Sequence, residues 1–231
     1  MHGDYKLDCI EKDLLINKSK PECIIIWLHG LGADNNDFLP IVNEFSLDVS
    51  IKFVFPNAPI MPITINNNNQ IRAWYDIYNL IDIDNMVDKK GLLLSVSMVD
   101  RLIKYYISLG YNSSDIILAG FSQGGSVIYQ ALLTLPYKLL GAIILSSYLV
   151  KDKNLQINDI NKKTSITICH GKLDNIVPYE LGFASYNILK SYGYHSSWSQ
   201  YPIGHNVSKE EVKDLSLWLN NLLVKKEFKK Q

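Results

Sequence analysis

The stretch Ser114-Asp115-Ile116-Ile117-Leu118-Ala119-Gly120-Phe121-Ser122-Gln123-Gly124-Gly125-Ser126-Val127-Ile128-Tyr129 decides how the rest of the chain is read. Its apolar run, Ile116 to Ala119, suits a buried parallel strand, and Ser126 to Leu135, poor in breakers, suits a helix. Between them lies Gly120-Phe121-Ser122-Gln123-Gly124, a G-x-S-x-G pattern. A strand that turns sharply into a helix packs its backbone closely. Glycines flanking the serine remove the side chains that would collide. The hydroxyl is then presented at the carboxyl edge of the sheet, and the helix aims its free N–H groups back at it. That arrangement suits a nucleophile attacking a carbonyl. The same five residues also describe a glycine-rich turn in which Ser122 merely starts a helix, so the remaining chain has to decide.

The length of 231 residues is compatible with one α/β domain, 1–231, and a hydrophobic content of 47% allows a sizeable core. The formal net charge is +0 and the pI is near 6.9, so nothing points to nucleic acid or an anionic membrane as a bulk partner. No apolar run is long enough to span a bilayer, and stable membrane insertion is not expected. The segment Met1-His2-Gly3-Asp4-Tyr5-Lys6 has no apolar h-region. Cys9, Cys23 and Cys169 are odd in number and widely spaced, which makes neither a zinc pattern nor a disulfide framework. They read as small apolar residues in a reducing compartment, and a cytoplasmic location is expected.

Working outward from the serine, Cys23-Ile24-Ile25-Ile26-Trp27-Leu28 is a continuous apolar run of the kind found at the centre of a sheet covered on both faces. It enters the glycine-rich loop His29-Gly30-Leu31-Gly32-Ala33-Asp34. The backbone N–H of Leu31 is therefore a candidate oxyanion donor beside that of Gln123. His29 reads as a loop brace. A helix is expected near 36–45, a strand at Ile51 to Phe55, and an edge strand within Tyr5 to Leu15. Lys18 to Glu22 reads as a polar turn. The prolines of Pro56 to Pro62 and the tract Asn66 to Asn69 predict a long irregular connection reaching Ile77. Asp88 to Leu109 has helical spacing with Gly110 as its stop. Strands are expected at 140–147, 165–169 and 196–201, and helices at 178–192 and 207–224. Lys151 to Lys163 reads as a surface excursion and Lys225 to Gln231 as a basic tail.

Strands alternating with helices imply a mainly parallel central sheet with helices on both faces, and ligands bind such sheets beyond the strands' carboxyl ends. His29, Ser122, Asp174 and His205 each follow a predicted strand. Serine needs a base, and the base needs a carboxylate to fix its tautomer. Three histidines follow Ser122: His170, His195 and His205. In the order nucleophile, carboxylate, histidine, His170 precedes the carboxylate candidate Asp174, and His195 precedes the last strand; His205 fits. Asp152 and Asp159 lie in the polar excursion and read as solvated. Asp174 could also serve only as a turn residue.

The segments Trp27 to Gly32, Gly120 to Gly125, His170-Gly171-Lys172-Leu173-Asp174-Asn175-Ile176-Val177-Pro178 and Gly204-His205 resemble the acyl-protein thioesterase/carboxylesterase family of α/β-hydrolases. Phe55 to Pro59 and Arg72 to Ile77 add to the resemblance, especially to bacterial carboxylesterases. It runs from about Ile24 to the final helix. It implies the α/β-hydrolase fold, Ser122 as nucleophile with Asp174 and His205 as partners, the amides of Leu31 and Gln123 as the oxyanion hole, and no metal or organic cofactor. It implies action on carboxylic esters and thioesters, with a small acyl ester, a lysophospholipid or an S-acylated protein as substrate. An acyl pocket is expected from Ile71, Trp74, Tyr148, Leu149, Ile176 and Val177. The asparagine tract and the loop from Leu80 to Lys89 depart from the family pattern. A homodimer through exposed apolar loops is compatible with the sequence. A catalytically silent binding protein on the same scaffold, or a lyase or perhydrolase using the same triad, are the rival readings.

Overall fold

The computed structural model describes residues 7–16, 20–79, 83 and 85–228. Tyr5 and Lys6 of the expected edge strand, Lys18 and Ser19 of the polar turn, Leu80, Ile81, Asp82 and Asp84 of the loop, and the tail from Lys229 lie outside them. Among the described residues the strands are β1 (Cys9–Leu14), β2 (Cys23–Leu28), β3 (Ile51–Pro56), β4 (Ile60–Ile63), β5 (Asn69–Arg72), β6 (Ile116–Phe121), β7 (Gly141–Leu145), β8 (Ser165–Gly171) and β9 (Ser196–Tyr201). The α-helices are α1 (Lys89–Ser108), α2 (Gln123–Thr134), α3 (Tyr179–Ser191) and α4 (Lys209–Phe228).

Seven strands form one sheet in the order β1-β3-β2-β6-β7-β8-β9. β1 pairs antiparallel with β3, and every other pair in this sheet is parallel. The alternation along β2 shows why both faces are covered. Ile24, Ile26 and Leu28 pack with Val99, Ile103, Val127 and Leu132 of α1 and α2. Ile25 and Trp27 pack on the opposite side with Phe53, Phe55 and Leu215 and Leu219 of α4. Such side chains hold a helix to the sheet; truncating one to alanine costs about 2–5 kcal/mol. The parallel register aligns Leu28 with Gly120 and Phe121 with Leu145, so the chain leaves these strands at one edge.

The fold is an α/β-hydrolase fold, as expected, and three local expectations are corrected. The proline-rich stretch is not irregular throughout: Ile60–Ile63 and Asn69–Arg72 form a separate two-stranded antiparallel ribbon, with Pro62 opposite Gln70. A proline costs a ladder donor, which a two-stranded ribbon tolerates because each strand has a free side. Asn67 and Asn68 close it at φ 54° and 58°, a left-handed conformation that asparagine enters more readily than most residues. The helix expected near 36–45 is a single 3₁₀ stretch, Leu39–Glu44, with proline in its first turn. Finally, α2 starts at Gln123 rather than Ser126, immediately after the serine. The 151–163 excursion is mostly exposed but is pinned by buried Asn161, which accepts from Leu139 N–H at 3.0 Å and donates to Tyr137 C=O at 2.9 Å.

Candidate active site

Ser122 stands between β6 and α2 with φ 53° and ψ −119°, a strained conformation for a residue with a side chain. The glycines around it leave no room for anything else. A Cβ at Gly120 would lie 2.6 Å from the Gly124 carbonyl, and one at Gly124 would lie 2.5 Å from the Leu28 carbonyl oxygen. The turn is anchored from the sheet side: Ser122 N–H donates to Leu145 C=O at 2.9 Å, and Ser147 Oγ donates to Ser122 C=O at 2.6 Å. Strain of this kind persists only where the surroundings over-determine it, and here packing and hydrogen bonds do so.

Two further loops converge on the elbow. β8 delivers Asp174 and β9 delivers His205, and the loops are laced together by Lys172 N–H to Tyr201 C=O at 2.8 Å and Leu173 N–H to Ile203 C=O at 2.9 Å. His205 Nδ1 lies 2.7 Å from Asp174 Oδ2. The other carboxylate oxygen accepts from the N–H groups of Ile176 and Val177, each at 2.9 Å. Burial works against the Asp174 charge, but the His205 bond and these two amides outweigh it and hold its pKa below the ordinary aspartate range. Since Nδ1 faces a carboxylate, it carries the proton and Nε2 at the far edge of the ring is left as a base. The imidazole packs 4.6 Å, centroid to centroid, from the ring of Phe121, the residue before Ser122.

The third loop follows β2. A Cβ at Gly30 would lie 3.4 Å from Ser122 Cβ, so the Gly30–Leu31 peptide runs directly beside the serine. His29 is not an exposed acid or base. It is buried, it accepts from Ala58 N–H at Nε2 (3.0 Å), and it donates from Nδ1 to Gly30 C=O (2.7 Å). Burial holds its pKa below the ordinary histidine value, against the Gly30 bond, which favours protonation.

His170 is likewise buried, donating from Nε2 to Val177 C=O at 2.9 Å and standing 3.6 Å from Asp174 Oδ2. Its ring stacks on Trp198. His195 is exposed.

The residues expected around an acyl pocket divide. Trp74, Tyr148, Leu149 and Val177 are buried within the core, Ile71 is half-buried on β5, and Ile176 is exposed. Trp74 donates its indole N–H to His29 C=O at 2.9 Å, and Tyr148 Oη meets Tyr75 Oη at 2.8 Å.

The sequence pointed to Gln123 for its backbone amide alone. Its buried side chain also accepts from Trp74 N–H at 2.9 Å and donates to Tyr75 C=O at 2.7 Å.

Among the described residues no group of three or more His, Cys, Asp or Glu comes together to hold a metal ion, and no helix is long and apolar enough to cross a membrane.

This architecture has close counterparts. The sequence profile of the Phospholipase/Carboxylesterase family matches residues 13–223. The chain belongs to that family. The family member described here is 34% identical to acyl-protein thioesterase 1 of Gibberella zeae over 218 residues, covering 89% of this chain and 92% of that one. It is 33% identical to carboxylesterase SOBER1 of Arabidopsis thaliana, covering 86% and 90% of the two chains. The SOBER1 crystal structure superposes with a TM-score of 0.82 at 31% identity, covering 87% of this chain and 99% of that one. The resemblance to bacterial carboxylesterases in particular is corrected. The Bacillus cereus carboxylesterase shares the fold, with a TM-score of 0.76 over 95% of this chain and 96% of its own, but at 14% identity.

Proposed function

We propose that the protein hydrolyses carboxylic esters and thioesters through a serine–histidine–aspartate triad and an acyl-enzyme. Ser122 attacks the substrate carbonyl while His205 Nε2 takes the hydroxyl proton, and Asp174 holds the ring and offsets the imidazolium charge. The backbone N–H groups of Leu31 and Gln123 hold the developing oxyanion. His205 then passes its proton to the leaving alcohol or thiol. Water attacks the acyl-enzyme with His205 again as base, which releases the acid and restores Ser122. A small acyl ester, a lysophospholipid or an S-acylated protein would serve as substrate. The names of the fungal and plant relatives favour acyl thioesters and carboxylic esters.

The single observation that carries this reading is the 2.7 Å contact between His205 Nδ1 and Asp174 Oδ2 at the strand edge where the strained Ser122 stands. The test is turnover of an aryl ester by Ser122→Ala, with fluorophosphonate labelling of the unmodified protein. The expected result is labelling at Ser122 and loss of turnover in the variant. Near-normal turnover by Ser122→Ala would end the proposal.

A further inference from the structure

We infer that His29 is a positioning residue for the oxyanion hole: its imidazole, locked as the Nδ1–H tautomer, fixes the plane of the Gly30–Leu31 peptide and so aims the Leu31 N–H. The inference rests on the function proposed above and deepens it.

The tautomer follows from the two partners. Ala58 N–H can only donate, so Nε2, 3.0 Å away, must be an unprotonated acceptor. The Gly30 carbonyl can only accept, so Nδ1, 2.7 Å away, must carry the hydrogen. A trans peptide is planar, with its C=O and N–H pointing in opposite directions. Pinning the Gly30 oxygen to the ring therefore turns the Leu31 N–H away from the ring. Among the described residues nothing accepts from that N–H, while the next amide, Gly32 N–H, is already bound to Arg72 C=O at 2.8 Å. The Gly30 backbone is also the part of this loop that lies against Ser122.

The brace is itself held on every side. Arg72 donates to Ala58 C=O at 2.9 Å, Trp74 donates to His29 C=O, and the Gln123 side chain accepts from Trp74 N–H. A chain of hydrogen bonds thus joins the two residues proposed as oxyanion donors, Leu31 at one end and Gln123 at the other. Charging the imidazole would place a second N–H against that of Ala58. Burial, reinforced by the nearby Arg72 guanidinium, keeps the ring neutral, against the opposing pull of the Gly30 bond, Asp37 and Asp34.

Two substitutions separate positioning from mere space-filling. The amide of asparagine reaches the place of Nδ1, and that of glutamine the place of Nε2. His29→Asn keeps the donor to Gly30, whereas His29→Gln keeps the acceptor for Ala58 and loses that donor. With active sites counted by fluorophosphonate titration, His29→Gln is expected to lose about 100-fold in kcat/KM per titrated site, the size of effect seen when one oxyanion donor fails. KM should change little. Affinity for a trifluoromethyl ketone, whose adduct carries the oxyanion, should fall by the same factor. His29→Asn should recover most of the loss. A second measurement needs no variant: nitrogen-15 NMR of the unmodified protein should show His29 protonated at Nδ1.

A His29→Gln enzyme with normal kcat/KM per site, an asparagine variant no better than the glutamine one, or an Nε2–H tautomer would each overturn the inference while leaving the triad intact. A parent protein that neither labels at Ser122 nor turns over ester would instead sink the proposed function.

Discussion

Asp174 gives one carboxylate oxygen to His205 and the other to the amides of Ile176 and Val177. The backbone thus fixes the orientation of the carboxylate that faces His205. Asp174→Asn keeps the shape but cannot hold the same histidine tautomer. Turnover of an aryl ester is expected to fall about 10⁴-fold, with little change in melting temperature. Steady-state kinetics alongside thermal denaturation checks this, and a fall of less than tenfold would place the working carboxylate elsewhere.

Trp74 is buried and its indole N–H is committed to His29 C=O, which braces the loop after β2. Trp74→Phe should remove one hydrogen bond and about 1 kcal/mol of stability. It should lower kcat by about tenfold, equally for short and long acyl esters. A change in KM that grows with acyl length would put the indole in the pocket wall instead.

Gly171 and Gly110 make a matched pair. A Cβ at Gly171 would lie 2.4 Å from both the Ile203 and Gly204 carbonyl oxygens, immediately before His205. Backbone must shift there, and a displacement of about 1 Å at a reacting group can cost 100-fold. Gly171→Ala is expected to lose activity on that scale. Gly110 has φ 96° but nothing within 4 Å, so Gly110→Ala should cost only about 1–2 kcal/mol of backbone strain and leave kcat unchanged. Parallel kinetics and denaturation curves of the two variants test the contrast; equal activity losses would refute it.

Glu211 lies buried near the start of α4, with Ser208 Oγ receiving its N–H at 3.1 Å and no partner for Oε1 among the described residues. Burial pushes its pKa up to about 8 against the lowering effect of the Ser208 amide, and Asp214 adds to the rise. Between the ordinary 4.5 and this value the unfolded chain is ionised while the folded chain keeps the proton. Stability is therefore lost as pH rises across that window, by at most about 5 kcal/mol. Glu211→Gln removes the titration, so its melting temperature should gain on the parent's from pH 5 to pH 8. A pH-independent difference between the two would count against it.

The inner strands of the parallel sheet were legible as short apolar runs at distances suited to a crossover, and β9 as an alternating stretch. The carboxyl-edge positions of His29, Ser122, Asp174 and His205 followed from them. The ribbon at 60–72 was not legible. Prolines and asparagines signal breaks, and a ribbon without a buried face of its own lacks the alternation that marks a strand. The start of α2 is not legible because helix propensity is poor at Gly124 and Gly125, while the tight packing that requires glycine there is invisible without the neighbouring segments. Polar side chains were hardest to read. Nothing along the sequence distinguishes Gln123, which ties two loops together, from a solvated glutamine, or His170, which holds the Val177 carbonyl, from an exposed one.

The ribbon of Ile60–Ile63 and Asn69–Arg72 has a sheet to itself, with Ile60 and the asparagine turn in solvent. Its outer end can drift in composition without disturbing the register of the seven strands beneath. Its root cannot, because Arg72, Ala73 and Trp74 bond to Ala58, Gly32, Pro59 and His29. One short appendage thus carries a solvent-exposed tip and a base fixed by hydrogen bonds to its neighbours. Exchanging residues at the tip therefore leaves in place the hydrogen bonds that join the base to the loop after β2.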